Sequence, residues 1–195
     1  MSKIALSGPA GGTATYTVTA PTGSTDRTVV LPDSNGTILT TATPGVPVNG
    51  PAFSASSTVS QGLSAVTLTK ITFPTEEFDS ASCFNNTAGT VGGIPAYAFL
   101  PNVAGYYQVN ATMTLRSVGQ GSGQIAALRK NGVTIRTVAG DQPVGNYDVN
   151  MSMSNTVYLN GTTDYLELWA LTGGAGTANG SYAGSFSAFL ARSAT

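Results

Sequence analysis

Over most of the chain, apolar and polar residues alternate one for one. From Tyr107 to Leu115 the odd positions are Tyr107, Val109, Ala111, Met113 and Leu115, and the even ones are Gln108, Asn110, Thr112 and Thr114. From Val149 to Leu159 the odd positions include Val149, Met151, Met153, Val157 and Leu159, against Asn150, Ser152, Ser154 and Thr156. A period of two sends successive side chains to opposite faces, so both segments predict strands with one face on a core. Shorter runs predict strands at Ala52 to Ser60, Ala65 to Phe73, Ala96 to Leu100, Gln124 to Arg129, Thr134 to Val138, Asp164 to Leu171 and Gly184 to Arg192. Turn signals stand between them: Asn131-Gly132, Asn160-Gly161, Asn179-Gly180 and the stretch Gly119 to Gly123. No window has the spacing and caps of an amphipathic helix. The pattern predicts an all-β sandwich or jelly roll.

The last predicted strand breaks the alternation. In Gly184 to Arg192 one parity carries Phe186, Ala188 and Leu190, and the other carries Ser187, Phe189 and Ala191. A strand apolar on both sides belongs between two buried surfaces, and the second is most simply a neighbouring subunit. Tyr106 and Tyr158 stand on the polar parity of their own strands. With Phe189 they form the expected inter-subunit contact.

The first fifty residues are built differently. Short Thr/Val segments, Thr13 to Thr19, Arg27 to Leu31 and Gly36 to Thr40, are divided by Gly and Pro, and they carry too few large apolar groups for a core of their own. They are expected to be ordered by docking on something else, through Ile4, Leu6, Tyr16, Val18, Val29, Leu31, Ile38 and Leu39. Pro44, Gly45, Pro47, Gly50 and Pro51 then make a stiff, extended spacer. The expected division is a docking segment and linker over residues 1–50 and a β domain over residues 51–195.

The run Phe99-Leu100-Pro101-Asn102-Val103-Ala104-Gly105-Tyr106-Tyr107-Gln108-Val109 resembles the F-x-P…G-x-Y signature of C1q-like domains. Phe78-Asp79 and Phe84-Asn85 precede it, and Leu128-Arg129-Lys130-Asn131-Gly132 resembles that family's Lys-Asn-Gly hairpin. Val157-Tyr158-Leu159, Asp164-Tyr165-Leu166-Glu167-Leu168 and the closing Phe186-Ser187-Ala188-Phe189-Leu190 follow in the family's order. The resemblance spans residues 52–195 and implies a ten-stranded C1q/TNF-like jelly roll that forms homotrimers around its closing strand. The collagen-like stretch that animal C1q proteins place before this domain is missing. In its place, Ile4 to Pro9 through Arg27 to Thr37 resemble N-terminal segments of bacteriophage fibre and capsid-decoration proteins.

Composition narrows the function. Charged residues are 9% of the chain and the net charge is −1, so the surface must be mostly Ser, Thr, Asn, Gln and Gly. Nothing forms a basic stripe for nucleic acid, and no run approaches the ~20 apolar residues of a membrane helix. With no histidine and a single cysteine, Cys83, neither a Ser-His-Asp or Cys-His site nor a disulfide within the chain can form. Carboxylates remain at Glu76, Glu77, Asp79, Asp141, Asp148, Asp164 and Glu167; they are expected to be solvated acids, the first three in a loop before a strand. Trp169, lying within a strand, is expected in the core.

These readings predict a non-enzymatic virion structural protein, made in the host cytoplasm, without cofactor, metal or membrane insertion. It would be a homotrimeric capsid-decoration protein, a cement or head fibre, bound to a major capsid protein or to a tail or neck component. The alternative is a tail-fibre or receptor-binding adhesin that recognises a host surface glycan.

Overall fold

A computed structural model describes residues 50–117, 123–141, 147–178 and 183–194. The eight expected docking residues, Ile4 to Leu39, and the linker before Gly50 lie outside the described residues, as does the Asn179-Gly180 turn. Eleven strands are present among the described residues: β1 Ala52–Ser57, β2 Gln61–Leu63, β3 Thr69–Lys70, β4 Thr75–Asp79, β5 Gly105–Ser117, β6 Gly123–Lys130, β7 Val133–Asp141, β8 Asp148–Leu159, β9 Leu166–Thr172, β10 Gly176–Ala178 and β11 Gly184–Ser193. The resemblance implied ten, and β2, β3 and β10 are pieces of only two or three residues.

The two clearest alternating segments become β5 and β8, which pair antiparallel from Gly105↔Leu159 to Arg116↔Asp148. On the other side of β5 lie β11 and then β10, and the sheet continues through β1 to β4 on one flank and to β2 on the other. A smaller sheet runs β3-β9-β6-β7. Tyr107, Val109, Ala111, Met113 and Leu115 of β5 turn inward against Leu128 of β6 and Leu166, Leu168 and Ala170 of β9, all buried. The result is a two-layer antiparallel sandwich with a single core.

The centre of that core is aromatic. Phe53 of β1 stacks on Phe84 at 4.5 Å and on Phe99 at 4.6 Å, and meets Phe186 of β11 edge-on at 5.1 Å. Phe99 in turn meets Tyr107 at 5.5 Å. Burial raises the Tyr107 pKa, and its hydroxyl donates to the Val103 carbonyl at 2.7 Å. Cys83 lies in the same core, its thiol pushed up by burial.

The β6–β7 hairpin turns on Asn131 and Gly132, both at positive φ, the two-residue turn an Asn-Gly pair favours. Other expectations shift. Ala96 to Leu100 forms no strand; Phe99 makes single bridges to Phe84 and Leu166, tying both layers together. Residues 75–79, expected as loop, form β4 along β1, because backbone pairing suffices at a sheet edge even where no side-chain pattern marks it. Gly176–Ala178, where the alternation predicts no strand, form β10.

Gly105 of the G-x-Y motif is set by close approach. A register shift between Leu190 and Arg192 brings β11 against it, so a Cβ there would lie 2.5 Å from the Arg192 carbonyl oxygen and 2.5 Å from Leu190 Cδ1. A backbone oxygen cannot step aside. Gly105→Ala is expected to destabilise the domain by about 1–3 kcal/mol, read as a lowered urea midpoint with an unchanged slope. An unaltered midpoint would mean that β11 does not pack here as described.

Candidate functional site: the outer face of the large sheet

The residues of β5, β8 and β11 that point away from the core form a broad face. Its middle is polar and uncharged, held by side-chain hydrogen bonds across the strands. Gln108 Nε2 donates to Ser154 Oγ at 2.8 Å, Ser154 Oγ to Asn110 Oδ1 at 2.9 Å, and Thr156 Oγ1 to Gln108 Oε1 at 3.2 Å. Thr112 and Ser185 share a hydrogen bond of 2.8 Å, and Thr114 Oγ1 donates to Asn150 Oδ1 at 2.7 Å. At one end Arg116 grips Asp148 through two hydrogen bonds of 2.6 and 2.7 Å. Cross-strand bonds of this kind fix the rotamers of short side chains, so the face is ordered before any partner arrives.

The opposite end is aromatic. Tyr106 and Tyr158 stand directly across β5 and β8, with ring centroids 5.5 Å apart, and remain 46% and 44% exposed. Phe189 lies one strand away, opposite Gln108, at 48% exposure. The three residues singled out from sequence thus share one end of one face, where Tyr106, Tyr158, Arg192, Ser193 and Ala194 line a recess of ≈ 410 Å³. Lys130 reaches this corner, donating to the Tyr158 carbonyl at 2.8 Å. In the single chain β11 is buried on one side only, by Phe186 and Ala188; its other apolar side, Phe189 and Ala191, is open. Gly50 and Pro51 lie at the same end, where the Leu190 amide donates to the Pro51 carbonyl at 3.1 Å. The described domain therefore starts beside its aromatic patch.

Sequence reasoning took Phe78 as a motif residue and missed its exposure, 53% on the edge strand β4. The segment Thr75-Glu76-Glu77-Phe78-Asp79 is exposed at four of its five positions, so no alternation marked it. The three acids there do not converge. Asp79 accepts the amides of Ala81 at 3.1 Å and Phe84 at 2.6 Å, while Glu77 accepts Ser54 Oγ at 2.7 Å. Among the described residues, no three His, Cys, Asp or Glu side chains cluster closely enough to hold a metal ion.

Trp169 is also not where it was expected. Leu168 and Ala170 take the inward positions on β9, which leaves Trp169 half-buried on the outer face of the small sheet. Arg129 lies over its ring at 4.5 Å and its indole N–H donates to Glu167 at 2.9 Å. Glu167 is buried and ion-paired with Lys70. The indole face is thus already covered by a cation.

No protein-family model and no curated protein sequence matches the chain. Solved structures do. The globular domain of zebrafish complement 1qA protein aligns with a TM-score of 0.52 at 14% identity, over 74% of this chain and 99% of that one. Murine APRIL aligns with a TM-score of 0.51 at 8% identity, over 72% of this chain and 98% of that one. Identities this low speak for the fold alone, and the fold is the C1q/TNF-like jelly roll.

The hairpin below the aromatic end is anchored by Asp164. Its burial alone would raise the carboxyl pKa, but hydrogen bonds from Lys130, Asn131 and the Asn160 amide outweigh that and lower it. Lys130 Nζ is 2.8 Å away, Asn131 Nδ2 2.7 Å and the Asn160 amide 3.0 Å. A depressed folded pKa contributes stability above the unfolded value, near ~3.9, and that contribution disappears as pH falls through the folded value. Asp164→Asn is therefore expected to cost about 1.5–3 kcal/mol at neutral pH, with the gap to wild type closing below about pH 4. Urea titrations at neutral and acidic pH test this, and a gap independent of pH would contradict it.

Proposed function

We propose that this chain is a bacteriophage virion structural protein: a homotrimeric capsid-decoration protein, cement or head fibre, whose residues 1–50 dock on the particle and whose jelly roll is displayed from it. The observation that carries the proposal is the outer face of the large sheet, where Tyr106, Tyr158 and Phe189 lie exposed beside a preordered, uncharged network. The middle of such a face can be buried against another copy without stripping water from charges, which is the costly part of burying a polar surface. The C1q-like fold and the doubly apolar closing strand support three-fold assembly, and the resemblance of the first fifty residues to phage fibre and decoration proteins supports the particle.

Trimerisation fits this division of labour. Three copies of a weak docking segment attach far more tightly than one, because the second and third engage at high effective concentration. Since the described domain begins beside the aromatic end, the three segments would leave the trimer from one place. Chemistry plays no part in this role: Asp148, Asp164 and Glu167 are each held by a cation, and the chain has no histidine.

Phe189→Asp is expected to convert a trimer into a folded monomer or an aggregate, since three carboxylates would be buried together. Sedimentation showing an unchanged trimer would overturn the assignment of this face. Deleting residues 1–50 is expected to leave a trimer that no longer co-purifies with particles. Hundreds of copies per particle fit decoration, whereas a few trimers, with glycan-array binding, would favour the tail-fibre adhesin.

A further inference from the structure

We infer that Asn131 is a guarded modification site: the Asn131-Gly132 turn carries the elements of spontaneous deamidation, and the side-chain bonds from Asn131 to Asp164 and Tyr165 hold it unreacted in the folded domain.

The reactive element is in the sequence. In an Asn-Gly pair the glycine amide nitrogen can reach the asparagine Cγ, because glycine has no side chain to obstruct the approach. A bond forms between the Gly132 nitrogen and Asn131 Cγ, and the Cγ–Nδ2 bond breaks. Nδ2 takes the proton of the Gly132 amide and leaves as ammonia. Water then opens the cyclic imide to aspartate or isoaspartate, and the chain gains one negative charge. Asn131 is exposed, so burial does not shield it from this reaction.

The fold withholds the geometry. Attack requires the carboxamide to bring Cγ over the following amide. Asn131 Oδ1 accepts the Tyr165 amide at 2.9 Å, its Nδ2 donates to Asp164 Oδ1 at 2.7 Å, and its own amide donates to the Tyr165 carbonyl at 3.1 Å. Both ends of the carboxamide must let go before Cγ can move, so reaction proceeds only through a local opening, and its rate follows the population of the open form. The bond to Asp164 is the stronger of the two side-chain ties, because its acceptor is an ionised and buried carboxylate.

The turn at Asn160-Gly161 provides a contrast within the same chain. Asn160 Oδ1 accepts the amides of Thr162, Thr163 and Asp164 at 3.0, 2.9 and 2.9 Å, and Nδ2 donates to Thr163 Oγ1 at 2.8 Å. That carboxamide is held by backbone amides and Thr163, whereas Asn131 depends on the Asp164 carboxylate. Conversion at Asn131 would also reach further. It would replace a donor with an acid beside Asp164, leaving Lys130 shared between two like charges. Lys130 also donates to the Tyr158 carbonyl and lies over its ring at 5.7 Å, so a one-way chemical change in the turn would bear on the aromatic end.

The full chain is incubated at neutral pH, folded and in urea, alongside Asp164→Ala, Asp164→Asn and the core truncation Leu115→Ala. Peptide mass spectrometry reads deamidation at Asn131 and Asn160, and thermal unfolding checks folding. Asn131 is expected to react at least about tenfold more slowly in the folded wild type than in urea. Asp164→Ala is expected to raise the ratio of the Asn131 rate to the Asn160 rate by at least about tenfold, and Asp164→Asn, which keeps an acceptor oxygen without the charge, by less. Leu115→Ala lowers stability away from the turn and is expected to speed both sites alike, leaving the ratio unchanged. Equal Asn131 rates in the folded and urea-unfolded wild type would overturn the inference. So would a ratio that both Asp164 variants leave unchanged, and if Asp164→Ala does not fold, the ratio in Asp164→Asn decides.

Discussion

The ring stack around Phe53 is the contact on which the sandwich depends. Phe53 comes from β1, Phe186 from β11 and Tyr107 from β5, all in the large sheet, whereas Phe84 and Phe99 come from the segment between β4 and β5. Phe99 also exchanges backbone hydrogen bonds with Leu166 of the small sheet, at 3.0 and 2.8 Å. One cluster thus fixes the spacing of both layers and holds down the long connection that crosses between them. Each aromatic pair adds about 0.5–1.5 kcal/mol beyond its buried area, and truncating one such ring costs about 3–5 kcal/mol. Against a typical total of about 5–15 kcal/mol, no single member of the cluster can be lost lightly.

That dependence explains which parts of the molecule were legible in the sequence. Among the residues that carried the family resemblance, Phe84, Phe99, Gly105, Tyr107 and Phe186 are ones that the core or a close backbone approach constrains tightly. Alternation in β5 and β8 was equally plain, since burial of one face leaves a period-two record. Tyr106 and Tyr158 could be found because they violate that record on the polar side. Elsewhere no such record is written. β4 is exposed along nearly its whole length, and β2 and β10 are too short for a period to show. The exposure of Phe78, read only as a motif residue, went unforeseen for that reason. Trp169 was misplaced because its neighbours Glu167 and Leu171 share the outward parity with it, and a long apolar run on β9 hid which face was inside.

The outer face of the large sheet connects this architecture to the proposed role. A chain with so few charges must make its surface from small polar groups, and on β5, β8 and β11 those groups satisfy one another in rows. Polar satisfaction within the chain leaves little that must be re-paired when a partner covers it. Apolar contact is confined to the tyrosine and phenylalanine end, beside the start of the described domain. A face arranged in this way suits permanent burial between copies, as the proposed trimer requires, better than repeated capture of a small ligand.

Electron cryomicroscopy of phage particles purified from cells that express this chain tests that account most directly. Three-fold-symmetric jelly-roll densities projecting from many sites on the capsid, each with its aromatic end toward the shell, are the predicted result. Absence of the chain from the particle, or monomeric density with the Tyr106–Tyr158–Phe189 face open to solvent, would contradict it.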